Sequence, residues 1–241
     1  MIWNKKYNYP ASIRAILDGK RHYDINHEKL PSVTTILSHT QTEEKKAKLE
    51  EWKAKVGYEK AEIIKQEAGN RGSNMHHILE SYLKGQLNLD LLGVNTIEKI
   101  MADEIIENGL KNKLNIIWGS EETLYFPGKY AGAADLIAGD YEGKSCIIDF
   151  KNSNKPRQDS WNDEFYMQLG AYIAAHNEVY NTSIDRGIIL LCTKDNFFQK
   201  FTIEGERLKE YQNKFFERVE QYYSPKKKII ILLTLKKLML F

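Results

Sequence analysis

The chain has 241 residues, 42% of them hydrophobic, which suits one domain with elaborations around a sizeable core. Its 35 lysines and arginines against 33 aspartates and glutamates leave a formal charge of +2, which excludes a globally basic surface; any field for a polyanion must be local. Cys146 and Cys192 both lie in apolar runs and are expected to be buried free thiols, which speaks against an oxidising compartment.

The opening MIWNKKYNYP lacks the apolar centre of a signal peptide, so an intracellular, cytoplasmic location is expected. Trp3 to Asp24 has little periodicity and is expected to form a small hairpin packed on the domain. At Leu30 to Leu37, Pro31 and Ser32 carry helix-start chemistry ahead of an apolar turn. Two readings of Ser32 are open here: a plain helix cap, or, with Thr34, hydroxyl and amide donors for a phosphate.

Thr42 to Gly69 is rich in Lys, Glu and Ala, with Leu49, Trp52, Val56, Ala61 and Ile64 spaced for one or two amphipathic helices. Its lysines form either a solvated face or a channel wall for repeated phosphates, and Trp52 is either core or a stacking platform. A further helix is expected to start at Arg71-Gly72 and run to about Lys84, burying Met75, Ile78, Leu79 and Tyr82, with His76 beside that stripe. Leu92 to Lys113 is again helical in pattern, and a strand follows at Asn115 to Phe126. Within that strand Glu121 and Glu122 face opposite ways, so one of them at most points into any given site; both are also compatible with a solvent-exposed rim.

Two adjacent strands come next, Tyr130 to Ala138 and Lys144 to Lys151, with Gly139, Asp140 and Gly143 as turn residues. Alternation puts Ile147, Asp149 and Lys151 on one face and Cys146, Ile148 and Phe150 on the other. If Asp135 meets Asp149 across the sheet, the two carboxylates repel unless a cation sits between them, and hard divalent cations take oxygen ligands. Lys151 beside them would complete a centre for cleaving phosphodiesters; the plainer reading is a surface hairpin with an Asp/Lys pair.

Asn152 to Asp159 is a polar loop whose Lys155 and Arg157 suit either a phosphate contact or an ordinary basic loop. A helix from about Ser160 to Tyr180, capped by Ser160, sets Gln168 and Tyr172 one turn apart on one face. Strands at Arg186 to Cys192 and Phe197 to Ile203 precede a helix from Gly205 to about Tyr223. The tail 224–241 alternates basic and apolar clusters, is far below the roughly 20 apolar residues that span a bilayer, and is assigned no role.

Taken together, Asp135, then Asp149-Phe150-Lys151, then Gln168 and Tyr172, with His76 upstream, resemble the PD-(D/E)XK nuclease superfamily. The resemblance is to its RecB-like exonuclease branch, including phage and mitochondrial-genome-maintenance exonucleases, and spans about residues 30 to 203. It implies an α/β fold: a restriction-endonuclease-like core with a central mixed β-sheet flanked by helices, and a helical N-terminal addition. Residues 1–223 would be one nuclease domain, divided into a helical region 30–91, a core 92–203 and a C-terminal helix 205–223.

The resemblance also implies roles. His76, placed by G-x-x-x-H spacing from Gly72, would join Asp135, Asp149 and the Phe150 backbone carbonyl around Mg2+ or Mn2+, with Glu121 as a further ligand or water holder. Lys151 would position or help deprotonate the attacking water, while Gln168 and Tyr172 orient the lysine and the strand. Ser32, Thr34, Arg71, Lys155 and Arg157 are candidate nucleic-acid contacts.

The expected activity is a metal-dependent DNA exonuclease acting on single strands or free ends, releasing 5′-phosphates, of phage-like or organellar origin. A structure-specific or restriction-type endonuclease is the alternative, and a non-catalytic nucleic-acid-binding module on the same fold is the alternative of another class. The chain contains no G-x-x-x-x-G-K-[ST] phosphate loop, so unwinding would fall to a helicase or other replication or recombination partner.

Overall fold

The computed structural model describes residues 1–86 and 96–238, with backbone only for 225–238. A six-stranded mixed sheet runs through the centre in the order β1-β5-β6-β7-β8-β9, built from Ile2–Trp3 (β1), Leu114–Phe126 (β5), Tyr130–Tyr141 (β6), Lys144–Ser153 (β7), Arg186–Thr193 (β8) and Phe198–Glu204 (β9). Helices cover both faces, so the chain is α/β.

Against one face pack Val33–His39 (α1), Asp163–Tyr180 (α5) and the described part of Gly205–Leu238 (α6), meeting Leu124, Ile137, Ile147 and Ile189. Against the other pack Tyr58–Leu83 (α3) and Ile97–Ile105 (α4), meeting Leu136, Cys146, Ile148, Phe150 and Leu190. The alternation of β7 thus sorts Ile147 from Ile148 and Phe150 as its period of two requires. Both cysteines are buried and free.

The N-terminal part is more than a hairpin. Ile13–Leu17 (β2), Lys20–Ile25 (β3) and Glu28–Pro31 (β4) form a separate antiparallel sheet, β2 turning into β3 through Asp18 and Gly19, both at positive φ. Ser32 follows at once, its hydroxyl accepting the Thr35 amide at 2.9 Å and so capping α1.

Several expected boundaries move. No helix starts at Gly72: α3 runs unbroken from Tyr58 to Leu83. Gly72 is instead a point of close approach, where an added Cβ would lie 2.6 Å from Asn152 Nδ2. Met75, Leu79 and Leu83, spaced by four and fully buried, contribute about 2 kcal/mol each and fix the rotation of α3. Glu43–Val56 (α2) buries none of its residues, and Trp52 is 38% exposed rather than core.

The β6–β7 turn is Glu142-Gly143, with Gly139 and Asp140 inside the strand. Ser160 lies in a short 3-10 turn, Asp159–Trp161, and does not cap α5, which begins after Asn162. The last helix passes the expected end near Tyr223 and continues as backbone to Leu238. Residues 92–95 of the expected fourth helix, and the 91/92 boundary between the expected helical region and core, lie outside the described residues. Among the described residues no helix is long and apolar enough to cross a membrane.

Candidate metal-ligating active site

The cleft arises where the central sheet divides. β6 and β7 pair at Leu136↔Ile148, but beyond that point β7 follows β8 while β6 follows β5. Asp135 and Asp149 are the first residues past the parting. Phe150, next along β7, loses its partner strand on that side, and a buried peptide group cannot go unsatisfied without cost. Asp135 Oδ2 accepts the Phe150 amide at 2.7 Å, and His76 Nε2 lies 2.8 Å from the Phe150 carbonyl. His76 thus takes one of the two lone pairs of the carbonyl that the resemblance has facing a cation.

His76 reaches in from α3. Because a carbonyl only accepts, Nε2 carries a proton, and Nδ1 faces Asp135 Oδ1 at 3.4 Å and Glu121 Oε1 at 4.0 Å. One ligand atom each from His76, Glu121 and Asp135 lies within 4.8 Å of the others. Glu121 sits at φ +56, a left-handed conformation unusual for glutamate. Glu122 is not in the cleft; its side chain folds against Gly119. His77, on the neighbouring helix face, is 80% exposed at its side chain.

Asp149 is buried, and its Oδ1 accepts no hydrogen bond among the described residues. Its one charge partner is the Lys151 ammonium, in close contact with Oδ2. Lys151 also donates to Gln168 Oε1 at 3.2 Å and lies 4.9 Å from the centre of the Phe165 ring. Gln168 Nε2 in turn donates to the Tyr172 hydroxyl at 3.0 Å. The one-turn spacing of Gln168 and Tyr172 on α5 makes this relay.

The titration behaviour reflects crowding of like charges. Burial raises Asp149 to about 6 despite Lys151, and burial together with Asp135 raises Glu121 to about 7. Asp135 is also penalised by burial, but His76, Lys151 and the Phe150 amide outweigh that and hold it below the usual carboxylate range. For His76, burial works downward, yet the Asp135 carboxylate prevails and lifts it to about 9. Tyr172 is pushed well above its ordinary value by burial first and Asp149 second.

A divalent cation suits this donor set. Imidazole and carboxylates are ligands of divalent metals, and Asp149 Oδ1 is a buried oxygen with no hydrogen-bond donor among the described residues.

The cleft encloses about 470 Å³, and its lining includes Ser32 and Thr34 as well as the site residues above. The Ser32 hydroxyl is already shared among Thr35 and Thr34. The other expected nucleic-acid contacts stand outside the lining. Arg71 binds Asn152 at 3.2 Å and Asn154 at 2.6 Å, tying α3 to the end of β7. Arg157 is spent on Asn162 and the Trp161 carbonyl, and Lys155 is exposed on the loop.

Sequence reasoning missed Arg14, Arg21 and Tyr23, which line the cleft from the small N-terminal sheet. The signal was present: Asp18-Gly19, a strong hairpin turn pair, is flanked by alternating residues that bring Arg14 opposite Tyr23.

No protein-family model matches the chain. A human protein named mitochondrial genome maintenance exonuclease 1 is 29% identical over 208 residues, 82% of this chain and 59% of its own length. Proteins of the same name from mouse and Xenopus tropicalis are 27% and 26% identical, over 88% and 92% of this chain and 67% and 65% of theirs. The chain thus spans about three fifths of the human relative's length, 59%. Among solved structures, that of SSO0001 aligns over 51% of this chain and 57% of its own at 18% identity, with a TM-score of 0.30. So shallow a match carries no argument.

Proposed function

We propose that the chain is a divalent-metal-dependent DNA exonuclease of the PD-(D/E)XK type, acting on single strands or free ends. The observation that supports the reading is the parting of β6 and β7, where His76, Glu121 and Asp135 bring ligand atoms within 4.8 Å of one another and Asp149, paired with Lys151, lines the same cleft. The relatives named as exonucleases, similar over most of this chain, support the same reading.

Asp135, Asp149, His76 Nδ1 and Glu121 would hold the cation, and a bound Mg2+ or Mn2+ supplies charge neutralisation and a more acidic water. The chain's own residues do the rest. His76 Nε2 and Asp135 Oδ2 lock the Phe150 peptide, which sets the direction of Asp149 and Lys151 on either side of it. Lys151, steadied by Gln168, presents its ammonium to a phosphate and to charge that develops there during hydrolysis. Tyr172, kept as a neutral phenol by burial, holds Gln168 and thereby the lysine. Ser32 and Thr34, in the lining of the same cleft, would contact a bound strand.

The test is digestion of end-labelled linear and closed circular single strands with magnesium, manganese or chelator. Metal-dependent shortening of linear strands with circles left whole supports the exonuclease. Cut circles favour the endonuclease, and salt-dependent binding without cleavage favours a binding module.

A further inference from the structure

The small N-terminal sheet has two different faces. Arg14 lies opposite Tyr23 in the β2–β3 register, and Arg21 is two residues from Tyr23, so all three share one face, and all three line the cleft. Lys20 and His22 fall on the opposite face, in a separate depression with Lys29.

The sheet is firmly set against the site. The Arg21 carbonyl accepts the Ser32 amide at 3.0 Å and the Thr35 hydroxyl at 2.9 Å, and Ser32 bridges in turn to Ala131 on β6. Neither guanidinium has a hydrogen bond or ion pair among the described residues, although four carboxylates line the same cleft: Glu80, Glu121, Asp135 and Asp149. Lys151 is already paired with Asp149. Arg14 and Arg21 are therefore the permanent cations of the lining without a partner among the described residues, in the same cleft as the acids.

From this placement we infer that Arg14 and Arg21 form a phosphate clamp that holds the polynucleotide backbone next to the linkage being cut. The inference rests on the nuclease reading and deepens it. A guanidinium meets phosphate oxygens with two parallel donors, and such contacts do not depend on base identity. A polyanion entering a cleft lined by four acids needs this compensation from cations in the same lining. The two arginines act as binding residues, so their loss falls on affinity and KM rather than on kcat.

The experiment measures binding of a labelled single-stranded oligonucleotide in chelator across a salt series, for the wild type, Arg14→Gln/Arg21→Gln and Arg14→Lys/Arg21→Lys. Lys111→Gln, an ion-paired lysine outside the cleft, is the control. Loss of the clamp lowers the slope of log K against log salt by about 0.7 for each phosphate contact removed, about 1.4 for the glutamine pair. At about 0.1 M salt the glutamine pair binds at least about tenfold more weakly. The lysine pair retains most of the slope, and the control does not change.

A glutamine pair with native melting and a wild-type slope overturns the clamp while leaving the nuclease reading intact. A lysine pair as impaired as the glutamine pair assigns the effect to altered structure and also overturns it. A wild type that binds no oligonucleotide overturns the functional reading and the clamp together.

Discussion

His76 Nε2 lies 2.8 Å from the Phe150 carbonyl oxygen, and that hydrogen bond commits the far nitrogen of the ring to the carboxylates. With Nε2 protonated, Nδ1 is the nitrogen that would ligate, releasing its own proton to solvent when a cation takes its place beside Asp135. His76→Ala should thus raise the manganese concentration giving half-maximal activity by about tenfold or more, in the range seen when metal-orienting groups are lost. A metal titration of nuclease activity reads this directly. An unchanged midpoint would place His76 outside the ligand set.

Asp149 and Lys151 should separate stability from chemistry. Burial raises the Asp149 carboxyl to about 6, above its unfolded value of about 3.9, so the charged form costs stability as pH rises from about 4 through about 6 and above. Asp149→Asn removes that cost, and the metal-free protein should melt higher than the wild type at pH 8 while losing metal binding and turnover. Lys151→Ala should keep metal binding and lose about 10²-fold to 10³-fold in turnover. Calorimetry with manganese distinguishes the two variants, and normal affinity in Asp149→Asn contradicts the assignment.

Gly132 carries the tyrosine of the relay. A Cβ added there would lie 2.7 Å from Tyr172 Cε1, so Gly132→Ala must displace a ring that holds Gln168 and, through it, Lys151. The expected outcome is a large drop in kcat with metal affinity unchanged. A variant of full activity would show that the relay does not set the lysine.

His176 predicts a pH dependence away from the site. It is fully buried, hydrogen-bonded to Thr182 at 2.8 Å and to Tyr9 at 3.1 Å, and burial, with help from Lys6, lowers it to about 4. A histidine held neutral contributes stability that is complete above its unfolded value of about 6.5 and is lost as pH falls towards about 4. The difference in unfolding free energy between wild type and His176→Gln should shrink by about 3 kcal/mol across that window. Denaturant titrations at pH 7 and pH 4 measure it, and a constant difference would mean that His176 titrates normally.

Much of the fold was legible because its signals are local. The β6–β7 hairpin, the alternation of Ile147, Asp149 and Lys151, and the one-turn spacing of Gln168 and Tyr172 follow from periods of two and 3.6. What stayed hidden depends on partners distant in sequence. Gly72 looked like a helix start, but its reason is Asn152, which packs against α3 from the end of β7. Trp52 and Leu49 suggested a buried stripe, yet α2 buries neither of them. Arg157 suited either a phosphate contact or an ordinary basic loop, and its hydrogen bonds to Asn162 and the Trp161 carbonyl could not be read from that pattern. The hairpin bearing Arg14 and Arg21 was marked by Asp18-Gly19, but only the tertiary fold brings it into one cleft with the carboxylates.

The most direct test of the central claim is release of nucleotides from end-labelled linear single-stranded DNA in manganese, comparing wild type with Lys151→Ala. The account predicts progressive, chelator-sensitive shortening by the wild type, and, in the variant, retained DNA binding with almost no release. Equal release by both proteins, or release that persists in chelator, would contradict it.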